Sequence, residues 1–131
     1  MGYETMYSLE FNKIDKENKC VINEYTREDY TIENEIAKKI VICLNYDEDD
    51  FGENPCIEEV LSEPYKWYDW EDDMRKISLE YPDYIFTMYG EGEDRDDNWK
   101  ACIYQGKIEI VKAEIVYPEI DISALIEKAD N

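Results

Sequence analysis

The fold is decided by residues 67–104, which read WYDWEDDMRKISLEYPDYIFTMYGEGEDRDDNWKACIY. Apolar side chains recur at helical spacing in the first half of this stretch, at Trp67, Trp70, Met74, Ile77 and Tyr81. Such a stripe predicts an amphipathic helix that buries one face against a core. Acidic residues 69–73 fall in its first turn, where the helix dipole favours negative charge. Pro82 cannot continue a helix and therefore ends it.

Strands are predicted on both sides of the acidic connection that follows the helix. Residues 84–89 (YIFTMY) form an apolar run, and residues 99–104 alternate apolar and polar side chains, which is the period of a strand. A tight turn at Gln105-Gly106 leads into a long strand predicted over 107–117 and ended by Pro118. The apolar phase changes along that strand, so a β-bulge near Val111-Lys112 is predicted. A short helix is predicted from Asp121, with its apolar side chains facing inward, at Ile122, Leu125 and Ile126.

The first half of the chain supplies a hairpin and a second helix. Alternation from Tyr3 to Phe11 predicts a strand, residues 13–19 a turn, and residues 19–25 a returning strand. A helix is predicted from Thr31, with Ile36, Ile40 and Val41 on its apolar face. Residues 45–56 predict an acidic loop, and residues 57–61 suit either a helical turn or a short strand. The whole chain, residues 1–131, therefore predicts a single α+β domain: a twisted antiparallel sheet with a C-terminal three-strand meander and two helices packed on one face.

Negative charge is concentrated in the middle of the chain. The protein has 34 Asp and Glu against 14 Lys and Arg, a net charge of −20. Residues 47–97 hold 19 acids and four bases, a net of −15, whereas the remaining 80 residues carry only −5. Such polarity indicates an anionic face, which repels nucleic acid and acidic membranes and attracts basic grooves on proteins.

Most kinds of reactive or cofactor-binding site are disfavoured by the residue types present. The chain has no histidine, so Ser-His and Cys-His nucleophilic pairs cannot form. Its four cysteines form no C-x-x-C pair, which argues against zinc. Residues 47–58 match a calcium loop only in part, because Phe51 occupies a ligand position. The glycines at 90 and 92 alternate with acids that repel phosphate. We therefore predict no enzyme activity, no metal and no cofactor.

Residues 66–107 resemble a block found in small, mostly uncharacterised phage and mobile-element proteins. The shared features are an acidic helix leading through Y-P-D into an apolar strand, a G-E-G-E turn, a Trp-bearing strand and a Q-G-K turn. This resemblance implies an α+β meander and a phage origin, and it points to an anti-defence inhibitor of the anti-CRISPR kind. It supplies no catalytic residues. The start, MGYETMYSLEF, has no basic region followed by an apolar run, which predicts a cytoplasmic protein; that the cytoplasm is that of a bacterial host is what the resemblance implies.

Three acidic segments are the predicted partner-binding residues, together with one aromatic side chain. Trp67 and Trp70 are interpreted as core anchors, whereas Tyr68 lies off the apolar stripe and is the better surface candidate. The full set is Asp47, Glu48, Asp49, Asp50, Glu53, Tyr68, Asp69, Glu71, Asp72, Asp73, Glu91, Glu93, Asp94, Asp96 and Asp97.

Three functions remain open at this stage. The first is an inhibitor that mimics nucleic acid and blocks the basic groove of a host defence protein, such as a CRISPR effector or a restriction enzyme. The second is a structural or accessory protein that pairs with itself, as a homodimer, or with a partner through the strand edge at 107–117. The third is an enzyme that uses carboxylates and a divalent ion. A solvated acidic surface with no partner is the plain alternative to all three.

Overall fold

The computed structural model describes residues 4–94, 97–114 and 116–129. These residues contain five strands and four helices. In chain order they are β1 (Met6–Asp15), β2 (Cys20–Ile22), α1 (Arg27–Cys43), α2 (Ile57–Val60), α3 (Trp70–Glu80), β3 (Tyr84–Glu91), β4 (Asn98–Tyr104), β5 (Lys107–Lys112) and α4 (Ile122–Ala129).

The five strands form one antiparallel sheet in the order β2-β1-β3-β4-β5. The last three strands are the predicted C-terminal meander, and β1 joins it by pairing with β3. Side chains alternate between the two faces of each strand. In β3 the buried residues are Tyr84, Phe86, Met88 and Gly90, while Tyr89 and Glu91 are exposed on the opposite face.

The core lies between one face of this sheet and the helices. Phe86 and Met88 of β3 are fully buried, as are Ile36 and Ile40 of α1 and Met74 of α3. Full burial of such a side chain contributes about 1.5–3 kcal/mol relative to leaving it in water. The predicted α+β class, with helices packed on one face of an antiparallel sheet, is therefore confirmed.

Helix α1 begins four residues before the predicted start at Thr31. Thr26 is its N-cap, and its Oγ1 accepts from the backbone N–H of Asp29 at 3.3 Å. The Asp29 carboxylate in turn accepts from the Thr26 backbone N–H at 2.8 Å. This reciprocal capping box satisfies donors that the first turn leaves unpaired. Of residues 57–61, left open between helix and strand, Ile57–Val60 form the short helix α2 and Leu61 is its C-cap.

Helix α3 begins at Trp70, so the predicted start at Trp67 was wrong. Trp67 is nevertheless buried, at 4% exposure, in the extended segment that precedes the helix. Its indole Nε1 donates to Asp73 Oδ2 at 2.7 Å, which satisfies the one polar atom of the side chain. The apolar stripe is thus real, but its first member reaches the core without being helical.

The N-terminal hairpin is asymmetric. Strand β1 continues to Asp15, four residues beyond the predicted end at Phe11, while β2 covers only Cys20–Ile22 of the predicted 19–25. The turn is correspondingly short, and Asp15 Oδ1 accepts from the backbone N–H groups of Glu17 and Asn18. Tyr3, the predicted first residue of the strand, lies outside the described residues.

The C-terminal region differs most from the sequence prediction. Strand β5 ends at Lys112 rather than 117, and its register with β4 is unbroken from Lys107 to Lys112, so there is no bulge at Val111-Lys112. Helix α4 buries none of its residues. Ile122, Leu125 and Ile126, predicted to face inward, are 65%, 58% and 57% exposed. Among the described residues, no helix combines the length and apolar character needed to cross a membrane.

Candidate partner-binding surface

Several strands begin or finish at the same end of the sheet. Antiparallel pairing brings the start of β1 beside the end of β3 and the start of β4, because Met6 pairs with Glu91 and Glu91 pairs with Asn98. The acidic connection between β3 and β4 therefore projects from this end. Glu93 within that connection accepts from the backbone N–H of Glu4 at 3.2 Å through its Oε1 atom.

A stack of two indoles attaches the start of α3 to the same end. The rings of Trp70 and Trp99 lie 4.4 Å apart, nearly parallel at 13°. Trp99 is the residue that follows Asn98 in β4 and lies opposite Gly90 of β3. The ring of Tyr7 meets Trp99 edge-on at 6.0 Å. Acidic residues 69–73 are thereby held next to the 91–97 connection.

The end of α1 brings the remaining acidic segment to this region. The Cys43 thiol lies beside Asp73 of α3; burial, reinforced by that carboxylate, raises the pKa of Cys43 to about 11. Three residues after the end of α1, the Tyr46 ring contacts Tyr65 at 6.2 Å. Tyr65 is itself bridged to Thr5 by two backbone hydrogen bonds of 2.9 Å. Residues 47–53 leave from this point.

We call residues 47–53, 69–73, 91–94 and 97 together the acidic end. Most of its described acids are exposed, and Glu71, Asp73 and Asp97 are half-buried. Asp96 lies outside the described residues. Tyr68 is 71% exposed, as predicted for a surface aromatic, whereas Trp70 is half-buried and Trp67 is buried.

Several of these carboxylates have local partners. Arg75 lies 3.3 Å from Asp72 and 3.9 Å from Glu71, both on its own helix. Such exposed pairs contribute only about 0.2–1 kcal/mol each. Asp50 accepts from the Asp47 backbone N–H at 2.9 Å, which fixes the loop. The carboxylates of Glu48, Asp49 and Asp69 have no hydrogen bond or ion pair with another described residue, and Asp69 makes no side-chain cap.

The sequence analysis did not identify two residues of this region. Glu4 was assigned only to an alternating strand, yet it lies beside Glu93 and adds a carboxylate to the end. Glu63 stands with Asp50 and Tyr46 around a shallow depression next to Tyr65. Both are single acids outside the dense segments, so only the pairing of distant strands and loops could have identified them.

The carboxylates of the described residues do not gather into a metal site. No group of three or more His, Cys, Asp or Glu among them is placed to hold a metal ion. Glu58, the last residue of the partial calcium loop, lies on α2, where it lines a groove beside β1. Comparisons with protein families, with curated proteins and with solved structures found no match.

Proposed function

We propose that this protein is a phage-type inhibitor that acts in the cytoplasm of a bacterial host. It binds the basic nucleic-acid groove of a defence protein, either a CRISPR effector or a restriction enzyme, and so excludes DNA or RNA without chemistry. One observation carries this proposal. Three acidic segments that are separate in sequence converge on one end of a packed sheet, held there by the Trp70–Trp99 stack and the Thr5–Tyr65 bridge.

The geometry supports mimicry of a charged polymer. Duplex DNA carries one charge per about 1.7 Å of its axis. Carboxylates on successive helix turns lie roughly 5 Å apart along the axis, so several segments must combine to approach that density. The acidic end combines three. Packing of the elements beneath fixes the segments before binding, which reduces the entropy lost on association.

Charge neutralisation at one position per segment tests the proposal. The variant Glu48→Gln/Asp69→Asn/Glu93→Gln removes three charges and retains a side-chain acceptor for the Glu4 N–H. Its matched control, Glu17→Gln/Glu24→Gln/Glu119→Gln, removes three exposed charges elsewhere. At about 0.5 kcal/mol per exposed pair, the first variant loses about tenfold in affinity, while the control binds like the unmodified protein.

The assay measures how well each variant competes with labelled DNA for binding to a panel of purified CRISPR effectors and restriction enzymes. Phage plating on bacteria that carry the same defence systems provides a second readout. Inhibition should weaken steeply as ionic strength rises, because exposed charges are screened. Equal inhibition by both variants, or no inhibition of any panel member, would show that the acidic end does not act in this way.

An accessory role through strand pairing is the second candidate. Strand β5 lies at the edge of the sheet, and Ile110 and Val111 are 41% and 58% exposed. An edge of this kind pairs readily with another chain. Self-association through β5 should persist at high salt and should be removed by Val111→Lys, as measured by sedimentation velocity. A monomer at all salt concentrations excludes the homodimer.

A further inference from the structure

Strand β1 has an unpaired edge along most of its length. The backbone groups of Thr5 face Tyr65, on the side of β1 away from β3, and the backbone N–H of Ile14 faces β3, where it donates to Asp83 at 2.8 Å. Because successive residues of a strand point their backbone groups to opposite sides, odd-numbered residues face the outer edge. The N–H and C=O groups of Tyr7, Leu9 and Phe11 therefore point away from β3, and no described strand pairs with them.

The unpaired stretch has fixed ends. At one end, β2 pairs with residues 13–15 of β1. At the other, Tyr65 pairs with Thr5. Residues 6–12 lie between these two partners, and they span about 20 Å at the rise of an extended strand. An edge of this length is enough to hold one short extended segment.

A groove of about 750 Å³ runs along this edge. Helix α2 and the residues after it form its opposite wall, where Ile57 and Leu61 supply apolar surface. Tyr25 closes part of the same side, with its ring against Phe11 at 6.4 Å. The hydroxyl of Tyr25 donates to Glu33, whose second carboxylate oxygen accepts from the Ile57 backbone N–H at 3.1 Å. The hydrogen bonds of Glu33 to Tyr25 and Ile57 hold the α2 side of the groove in place, so that the groove stays open beside β1.

The charge of the groove is of one sign. Four carboxylates line it, at Glu10, Glu33, Glu58 and Glu91, and none of its lining residues is Lys or Arg. Glu10 and Glu91 lie on the open face of the sheet, while Glu33 and Glu58 lie on the helical side. Both sides of a strand added here would therefore meet negative charge.

We propose that this groove binds an extended, lysine- or arginine-bearing segment of a partner protein, which adds to the sheet as a strand beside β1. The backbone groups of Tyr7, Leu9 and Phe11 supply the hydrogen bonds, as in β-augmentation generally. The carboxylates select for positive charge, and Ile57 and Leu61 receive an apolar side chain. A second copy of this chain is disfavoured as occupant because it carries −20. The groove shares Glu91 with the acidic end, but strand addition does not depend on nucleic-acid mimicry and stands whether or not that function is correct.

The first test uses the acetylated and amidated peptide Lys-Val-Lys-Val-Lys-Val-Lys, titrated by calorimetry into the full chain. Two further peptides carry N-methyl groups on alternate residues, each in one of the two phases. Strand addition requires that one phase abolish binding and the other leave it within about twofold, because only alternate N–H groups face β1. Equal loss in both phases, no loss in either, or no binding of the parent peptide would overturn the proposal.

Paired variants locate the binding. Glu10→Lys and Glu58→Lys should each weaken the peptide roughly fivefold to tenfold, as expected for reversal of one exposed charge. Glu59→Lys is the matched control, since Glu59 is exposed on the same helix and does not line the groove. Equal weakening by Glu59→Lys would show a non-specific charge effect and overturn the site.

Amide hydrogen exchange followed by NMR measures directly whether the outward-facing backbone N–H groups of β1 are hydrogen-bonded. In the free protein, the amides of Tyr7, Leu9 and Phe11 should exchange much faster than those of Ser8 and Glu10, which face β3. Peptide binding should protect the odd-numbered amides. Protection of those amides without peptide, in a dimer that dissociates on dilution, would identify a second copy as the occupant and overturn the basic partner.

Discussion

Substitution of Gly90 by alanine should disrupt the aromatic cluster that holds the acidic end together. Gly90 is buried in β3, and the indole of Trp99 lies across it from the neighbouring strand. A Cβ atom at this position would lie 2.1 Å from Trp99 Cε2, 2.3 Å from Cζ2 and 2.5 Å from Nε1. No carbon tolerates such contacts, so the ring must leave its position.

The expected loss of folding stability follows from the ring contacts that Trp99 would lose. Its stack on Trp70 and its edge contact with Tyr7 contribute about 0.5–1.5 kcal/mol each, and overpacking a sheet–helix interface adds about 1–3 kcal/mol. We expect the free energy of unfolding to fall by about 3 kcal/mol. For a domain of this size that corresponds to a melting temperature lower by roughly 10 °C.

Urea unfolding followed by circular dichroism measures this loss, and the near-ultraviolet spectrum reports the paired indoles. The matched control is a double-mutant cycle with Trp99→Ala. Once the indole is absent, Gly90→Ala should cost less than about 1 kcal/mol, because the new methyl group has no ring to displace. A Gly90→Ala variant as stable as the unmodified protein would refute the reasoning, as would an equal cost in both backgrounds.

Three further predictions concern stability. Tyr84→Phe should lower the free energy of unfolding by about 2 kcal/mol, because the buried Asp29 carboxylate accepts from the Tyr84 hydroxyl at 2.5 Å. Burial alone would raise the pKa of Asp29, but the hydrogen bonds from Tyr84 and Thr26 outweigh it and leave this pKa below its usual value. The stabilisation is therefore present above the unfolded-state pKa and is lost as pH falls through the folded-state pKa. In Tyr84→Phe the folded-state pKa of Asp29 should move up toward the unfolded-state pKa, so less stability is lost on acidification and the loss is complete at a higher pH. An acid titration of stability with the same shape as that of the unmodified protein would count against this. Removal of residues 120–131 should change the free energy of unfolding by less than about 0.5 kcal/mol, because α4 buries no residue; a larger loss in urea unfolding would show that it packs on the domain. Finally, the melting temperature should rise as sodium chloride increases, since salt screens repulsion within the acidic end, and a flat or falling response would contradict concentrated repulsion.

The residues that alternate most regularly predicted the sheet correctly. Buried and less buried side chains alternate in strict period two throughout β3 and from Lys100 onward in β4, and tertiary packing agrees with that pattern. The start of α1 was placed at Thr31, and the capping box of Thr26 was not recognised; its partner Asp29 stands where a capping box usually has Glu or Gln. The buried Trp67 was placed in a helix because it fits the stripe by spacing alone. Periodicity also cannot say whether an apolar face finds a partner, which explains the exposed residues of α4.

The candidate surface was predictable in composition but not in arrangement. Counting acids identified the three segments from the sequence. Their convergence depends on contacts between residues far apart in the chain, such as Trp70 with Trp99 and Tyr46 with Tyr65. The unpaired edge of β1 could not be predicted from the sequence either, because it depends on where β2 ends and where Tyr65 pairs with Thr5.

The open edge of β1 is blocked at both ends, and this limits the length of the segment that the groove can bind. A long open sheet edge is a template for pairing with another chain, and repeated pairing of such edges produces fibrils. Here β2 blocks one end and Tyr65 blocks the other. A segment much longer than about 20 Å can enter only by bending away from the sheet at both ends. The protein can thus expose a hydrogen-bonding edge for one short strand while that same edge gives little template for the growth of an aggregate.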